Sequence, residues 1–198
     1  MNNERKATET RNTKETQIAI TFKVDGQGSS DIDTGIPFMD HMLTLFAKHG
    51  FFDLEIKAKG DLHVDEHHTM EDLGIVMGTV IRKALSDKRS IRRYGCFSLP
   101  MDETLVNVAL DLSGRPYLVY EVNCPVDYVN GIGARLFREF FQALTNNLAL
   151  NLHIDLVRGE EIHHILEAIF KCFSKSLDQA TSLDPREKSI PSTKGILV

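Results

Sequence analysis

One short pattern, present twice, constrains this chain more than any other feature. His67-His68-Thr69-Met70-Glu71 and His163-His164-Ile165-Leu166-Glu167 both read H-H-x-x-E, and the second copy starts 96 positions after the first in 198 residues. Residues four apart on a helix share a face, whereas sequence neighbours diverge by about 100°. His67 can therefore act with Glu71, and His163 with Glu167, while His68 and His164 point elsewhere, toward a second ion. Only eight histidines are present, so four of them in this arrangement point to two metals held by a duplicated unit.

The flanking sequence repeats as well. Ile18, Ile20, Phe22 and Val24 alternate with polar residues as in a half-buried strand, and Asp25-Gly26-Gln27-Gly28 is a turn signal. Pro37 suits a helix first turn; Phe38, Met42, Leu45 and Phe46 share one face before Gly50 ends it. Phe52, Leu54, Ile56 and Ala58 alternate, and a helix starting near His67 carries Val76, Val80, Ala84 and Leu85. The second half follows the same order. Val106, Val108 and Leu110 alternate, Ser113 to Pro116 make a turn, and Tyr117 to Val122 extend. A helix then carries Leu136, Phe137, Phe140, Phe141 and Leu144. Leu152, Ile154 and Leu156 form a strand, and a helix runs from about His163 to Ala180. Arg93 to Leu99 is a candidate edge strand.

The expectation is an α+β fold, a tandem duplication of a ββαβα-type half with helices packed against two sheets. The halves span about 10–90 and 91–183 within one compact domain covering 1–198, and the tail from Asp184 onward is irregular.

Composition narrows the function classes. A formal charge of −5 leaves no basic footprint for nucleic acid or an anionic membrane. Cys96, Cys124 and Cys172 are odd in number and lack C-x-x-C spacing, which favours a reducing compartment. Met1 to Thr16 are polar and mixed in charge, and no apolar run reaches the roughly 18 residues of a membrane span. A cytoplasmic location is expected.

The repeat supplies further candidate ligands. His41 precedes the first pair by 26 residues, and Glu139 precedes the second by 24, at the matching place in its half. A pseudo-symmetric scheme gives one ion His41, His68, His163 and Glu167, and the other Glu139, His164, His67 and Glu71. Imidazole with carboxylate and no thiolate suits manganese, iron or zinc. These ligands alone are compatible with a dinuclear metallohydrolase or a non-catalytic assembly protein as well as a lyase.

Several segments together resemble one family, imidazoleglycerol-phosphate dehydratase of histidine biosynthesis. They are Arg11 to Thr16, Gly35 to Leu43, Asp65 to Asp72, Asp111 to Tyr117, His163 to Ala168 with Phe170-Lys171, and Ile190 to Gly195. Two positions depart from the family pattern: Glu139 stands where some members have a histidine, and Glu161 replaces an Asn or Asp. The resemblance implies a fold of two similar α+β halves, of a kind also seen in a ribosomal protein domain. It implies two manganese ions (Mn2+) per active site and a hollow homo-oligomer of about two dozen chains with sites at subunit interfaces.

The implied reaction removes water from a phosphorylated imidazole glycerol to give a ketone. The C–H to be lost has no neighbouring carbonyl, so ionisation of the ring between two cations must supply the push. Glu15 matches the family's substrate-contacting glutamate and is the candidate acid/base group. Arg93, Arg115, Ser192, Thr193 and Lys194 match positions suited to phosphate, and His49 and Lys171 match other substrate contacts.

Overall fold

The computed structural model describes residues 4–197; the remaining residues, including Val198 of the expected tail, lie outside the described part. The first half holds β1 (Lys6–Asn12), β2 (Thr16–Lys23), β3 (Ser30–Asp33), α1 (Pro37–Gly50), β4 (Asp53–Gly60) and α2 (His67–Leu85). The second holds β5 (Tyr94–Met101), β6 (Thr104–Asp111), β7 (Tyr117–Glu121), α3 (Arg135–Leu148), β10 (Asn151–Arg158) and α4 (Ile162–Thr181). A small hairpin, β8 (Tyr128–Val129) with β9 (Ile132–Gly133), is inserted before α3.

The duplication survives in the strand order. One sheet runs β1-β2-β4-β3 and the other β5-β6-β10-β7, each antiparallel except for its last pair, β3 with β4 and β7 with β10. Each four-stranded sheet therefore takes three strands from before its half's first helix, one more than the ββαβα reading. The unforeseen strand in the first half is β1, inside the polar stretch before Thr16. Its residues pair with β2 in continuous register from Lys6↔Lys23 to Asn12↔Gln17. An edge strand needs backbone partners more than apolar side chains, so polar composition hid it.

Strand alternation dictates the layering. Ile18, Ile20, Phe22, Leu54 and Ile56 turn inward from one sheet, and Val106, Val108, Leu110, Leu152 and Ile154 from the other, all buried. Helices α1 and α2 cover the first sheet, and α3 and α4 the second. The two helical layers then pack on each other, α2 against α3 and α1 against α4.

Two glycines set how closely α2 and α3 approach. A Cβ on Gly74 would lie 2.4 Å from the Phe140 carbonyl oxygen, and one on Gly78 2.5 Å from that of Leu144. At the α1–α4 junction Phe46 stacks on Phe173 at 5.7 Å between centroids, and Ser174 Oγ donates to the Phe46 carbonyl at 2.6 Å. These contacts bring the N-terminal half of α1 beside the first turns of α4. The site is built there.

Candidate metal centre and substrate site

His41, on the exposed face of the second turn of α1, meets His163 and Glu167 on the first turns of α4. Their ligand atoms lie within 4.8 Å of one another, the one such group of three among the described residues. Glu167 Oε2 is 3.4 Å from His41 Nε2 and 3.2 Å from His163 Nε2. Phe38, one turn before His41, packs edge-on against the His163 ring at 5.2 Å and restricts its rotation.

The other carboxylate oxygen, Oε1, pairs with Lys171 one turn further along α4. Burial pushes the Glu167 carboxyl up, but the Lys171 ammonium and the His41 ring more than reverse this and hold it below its ordinary pKa. An anionic oxygen facing two imidazole nitrogens suits a divalent cation of borderline hardness. The residues fit a metal.

Glu139, the expected counterpart of His41, instead lies 3.7 Å from Arg138 Nη1. His67 Nε2 and Glu71 Oε2 stand 3.7 Å apart at the start of α2. Within one chain three of the four ligands expected for the first ion, His41, His163 and Glu167, come together without His68, whereas Glu139, His67, Glu71 and His164 do not close into a matching group.

The second histidine of each pair is engaged by an acid that sequence reasoning did not single out. His68 Nδ1 lies 3.0 Å from Asp61 Oδ2, and His164 Nδ1 lies 2.9 Å from Glu103 Oε2. These hydrogen bonds raise the pKa of both rings above the ordinary histidine value. Glu161 caps α4 by accepting from the His164 backbone N–H at 3.0 Å, so its exchange for the family's Asn or Asp keeps a capping oxygen.

Glu15 occupies the β1–β2 turn. Thr13 Oγ1 accepts from the backbone N–H of Glu15 at 3.1 Å and of Thr16 at 2.9 Å, which fixes the turn. Thr16 Oγ1 in turn donates to Asp72, a buried carboxylate on α2 that also pairs with Arg11 at 2.9 Å. The turn is thereby tied to the helix that carries His67, His68 and Glu71. Glu15 also borders a cavity of about 240 Å³ together with Asp61 and His63.

The basic residues expected to hold phosphate do assemble. Arg93, Arg115, Ser192, Thr193 and Lys194 line one cavity of about 560 Å³. Arg93 is fixed in it by two bonds to Asp111, at 2.7 and 3.0 Å, and one to the Pro191 carbonyl at 2.9 Å. That last bond holds the C-terminal tail against the second sheet. Arg115 is exposed, and its backbone is anchored by Ser113 Oγ at 3.2 Å and Asn151 Nδ2 at 2.8 Å. His49, in the last turn of α1, has its pKa lowered by burial first and by the Lys171 and Lys175 charges next.

Comparison with known proteins identifies the family. The model of the family described as imidazoleglycerol-phosphate dehydratase matches residues 34–177. The chain is 53% identical to the enzyme of that name from Geobacter metallireducens over 193 residues, covering 98% of this chain and 99% of the other. It is 54% identical to the one from Caldanaerobacter subterraneus, covering 98% and 100%. The crystal structure of the Staphylococcus aureus enzyme superposes with a TM-score of 0.82 at 41% identity, covering 90% of this chain and 99% of that one. The Pyrococcus furiosus structure gives 0.83 at 37%, covering 96% and 100%.

Proposed function

The chain belongs to the imidazoleglycerol-phosphate dehydratase family, hydro-lyases of histidine biosynthesis, and on that premise we propose that it dehydrates imidazole glycerol phosphate with two manganese ions per site. The observation that carries the metal reading is the His41–His163–Glu167 group, assembled from helices of both halves. Two bound cations would supply one thing, stabilisation of negative charge on the substrate ring so that it can expel the hydroxyl of the attached carbon.

The protein's own side chains do the rest. Arg93, Arg115 and Lys194, with the Ser192 and Thr193 hydroxyls, hold the phosphate and so fix the glycerol chain. Glu15 moves protons: it takes the hydrogen from the carbon next to the phosphate-bearing arm as water leaves, and the enol formed then tautomerises to the ketone. The Thr13–Thr16–Asp72 contacts hold the backbone of that turn against α2 and leave the Glu15 carboxylate free to move. His49 and Lys171 contribute further substrate contacts, as the family resemblance implies.

The site is completed by neighbouring copies in a homo-oligomer of about two dozen chains. Three protein donors fall short of the roughly six that manganese favours, and His67, Glu71, Glu139 and His164 lie at the surface of one chain in partly exposed positions. Free Cys96, Cys124 and Cys172 fit a reducing compartment such as the cytoplasm, and no helix among the described residues is long and apolar enough to cross a membrane.

The test is turnover of imidazole glycerol phosphate by protein stripped of metal and then supplied with manganese. Activity should vanish and return. Full activity in a verified metal-free preparation overturns the metal reading.

A further inference from the structure

The second histidine of each pair spends one ring nitrogen on a carboxylate, and the two halves find that carboxylate in different places. In the first half it is Asp61, from the six-residue loop between β4 and α2. The matching loop between β10 and α4 has only three residues, and the partner of His164 comes instead from the β5–β6 turn.

That turn is the internal counterpart of the β1–β2 turn. Glu15 immediately precedes Thr16, the first residue of β2, and Glu103 immediately precedes Thr104, the first residue of β6. The two glutamates hold equivalent positions with different surroundings. Among the described residues the Glu15 carboxylate accepts no hydrogen bond, and only its backbone N–H is engaged. Both oxygens of Glu103 are used. Oε2 faces His164, while Oε1 accepts from Thr104 Oγ1 at 3.0 Å and from the backbone N–H groups of Glu161 at 3.1 Å and Glu160 at 3.3 Å.

We propose that Glu103 is a positioning residue for metal uptake, accepting the Nδ1 proton of His164 so that Nε2 presents its lone pair to a cation, as Asp61 does for His68. An ionised carboxylate can only accept, so it selects the ring tautomer with hydrogen on Nδ1 and a bare Nε2. Asp102 Oδ2 stands 3.9 Å from that Nε2, beyond hydrogen-bonding reach. The Oε1 bonds anchor Glu103 to the loop that opens α4, so ring and carboxylate are held by the same few residues. Duplication has thus yielded two glutamates from one position. Glu15 stays untied and available for proton transfer, and Glu103 is locked into ligand support.

This inference rests on the manganese reading above, and its test separates the two. The assembled wild-type protein and the Glu103→Ala, Glu103→Gln and Asp61→Ala variants are stripped of metal and titrated with manganese. Free ion is followed by electron paramagnetic resonance, and the unfolding midpoint is measured in chelator. Loss of an outer-sphere partner weakens metal binding by about 10- to 100-fold. Glu103→Ala and Asp61→Ala should show such a loss for one class of site, with midpoints in chelator near that of wild type. Glu103→Gln has one carbonyl oxygen, which the Thr104 hydroxyl and the Glu160–Glu161 backbone retain, so its NH2 turns toward His164 Nδ1 and favours the tautomer with hydrogen on Nε2. Its affinity should fall at least as far as that of Glu103→Ala, and it carries the test alone should Glu103→Ala not fold. Turnover at saturating manganese should recover in all three. Unchanged manganese affinity in Glu103→Gln and in every folded alanine variant overturns the inference. A wild-type protein that takes up no manganese overturns the metal reading instead.

Discussion

Glu167 Oε2 lies 3.4 Å from His41 Nε2 although 126 positions of chain separate them, and that contact joins the two halves of the duplication at one cation site. Glu167→Gln preserves shape and removes the charge that serves both the histidines and Lys171. Metal content should fall by the share of this site, and turnover by roughly 10²-fold or more, the scale on which enzymes lose rate when a metal's charge is misplaced. Metal analysis and steady-state kinetics on the assembled variant check it. Full metal content with normal turnover would assign the ion to other residues.

Glu15→Gln separates chemistry from binding. The turn is held by Thr13, Thr16 and Asp72 through bonds that do not involve the Glu15 carboxylate, so the fold should be unaffected. Turnover should drop roughly 10²-fold or more, as for loss of a general acid/base group, with metal content and the Michaelis constant near those of wild type. Near-normal turnover would move the acid/base role to another residue.

Much of this was readable from the residues. The repeat, the four helices and the His163–Glu167 pair follow from 3.6-residue periodicity and from H-H-x-x-E spacing, because both are local; His41 comes from the repeat, and His68, expected beside it, lies against Asp61 instead. The strand β1 was not, since an edge strand leaves little apolar trace. Asp61 and Glu103 were not singled out either: each acts across a fold-dependent distance, 7 and 61 positions from its histidine. The echo of Glu15-Thr16 in Glu103-Thr104 was the one available signal, and two residues are too short a match to stand out. The failure of Glu139 to join His67 and Glu71 within one chain also has no local sign, since it depends on how Arg138 and the neighbouring helix are placed.

The two phosphate-site arginines should behave differently. Arg115 is exposed, and its backbone rather than its guanidinium carries the local hydrogen bonds. Arg115→Ala should raise the Michaelis constant more than it lowers turnover, with stability unchanged. Arg93 also neutralises partly buried Asp111 and holds the tail at Pro191. Arg93→Ala should therefore lower stability as well, by about 1–3 kcal/mol for the carboxylate left without its partner. Kinetics and thermal unfolding on both variants decide it; equal stability would mean Asp111 finds another partner.

Gly74 lets α2 approach α3 within backbone contact. Gly74→Ala forces a methyl to within 2.4 Å of the Phe140 carbonyl oxygen, so the helices must part. Overpacking of this kind costs about 1–3 kcal/mol, against a gain of up to roughly 1 kcal/mol from replacing a helix-interior glycine. A net loss of stability should appear in thermal unfolding, together with reduced turnover, because α2 carries His67, His68 and Glu71. A stabilised variant would mean that the interface gives way without strain.

Acid should weaken metal binding, and the histidine surroundings give the sign. Hydrogen bonds to Asp61 and Glu103 raise the pKa of His68 and His164 above 6.5 in the metal-free chain. Without metal, the folded state then binds protons more tightly than the unfolded one. The resulting stabilisation is fully present below the unfolded value of about 6.5 and is lost as pH rises through the raised folded values. With metal the order reverses, since a bound ion requires an unprotonated ring nitrogen and must displace that proton. Manganese affinity should therefore fall as pH drops through the raised pKa values and level off above them. The increase in unfolding midpoint on adding a fixed manganese concentration should grow with pH over the same window. Titrations at a series of pH values between about 5.5 and 8.5, with midpoints recorded in chelator and in manganese, measure both. An increment that stays constant across that range would mean that neither histidine exchanges a proton for the ion.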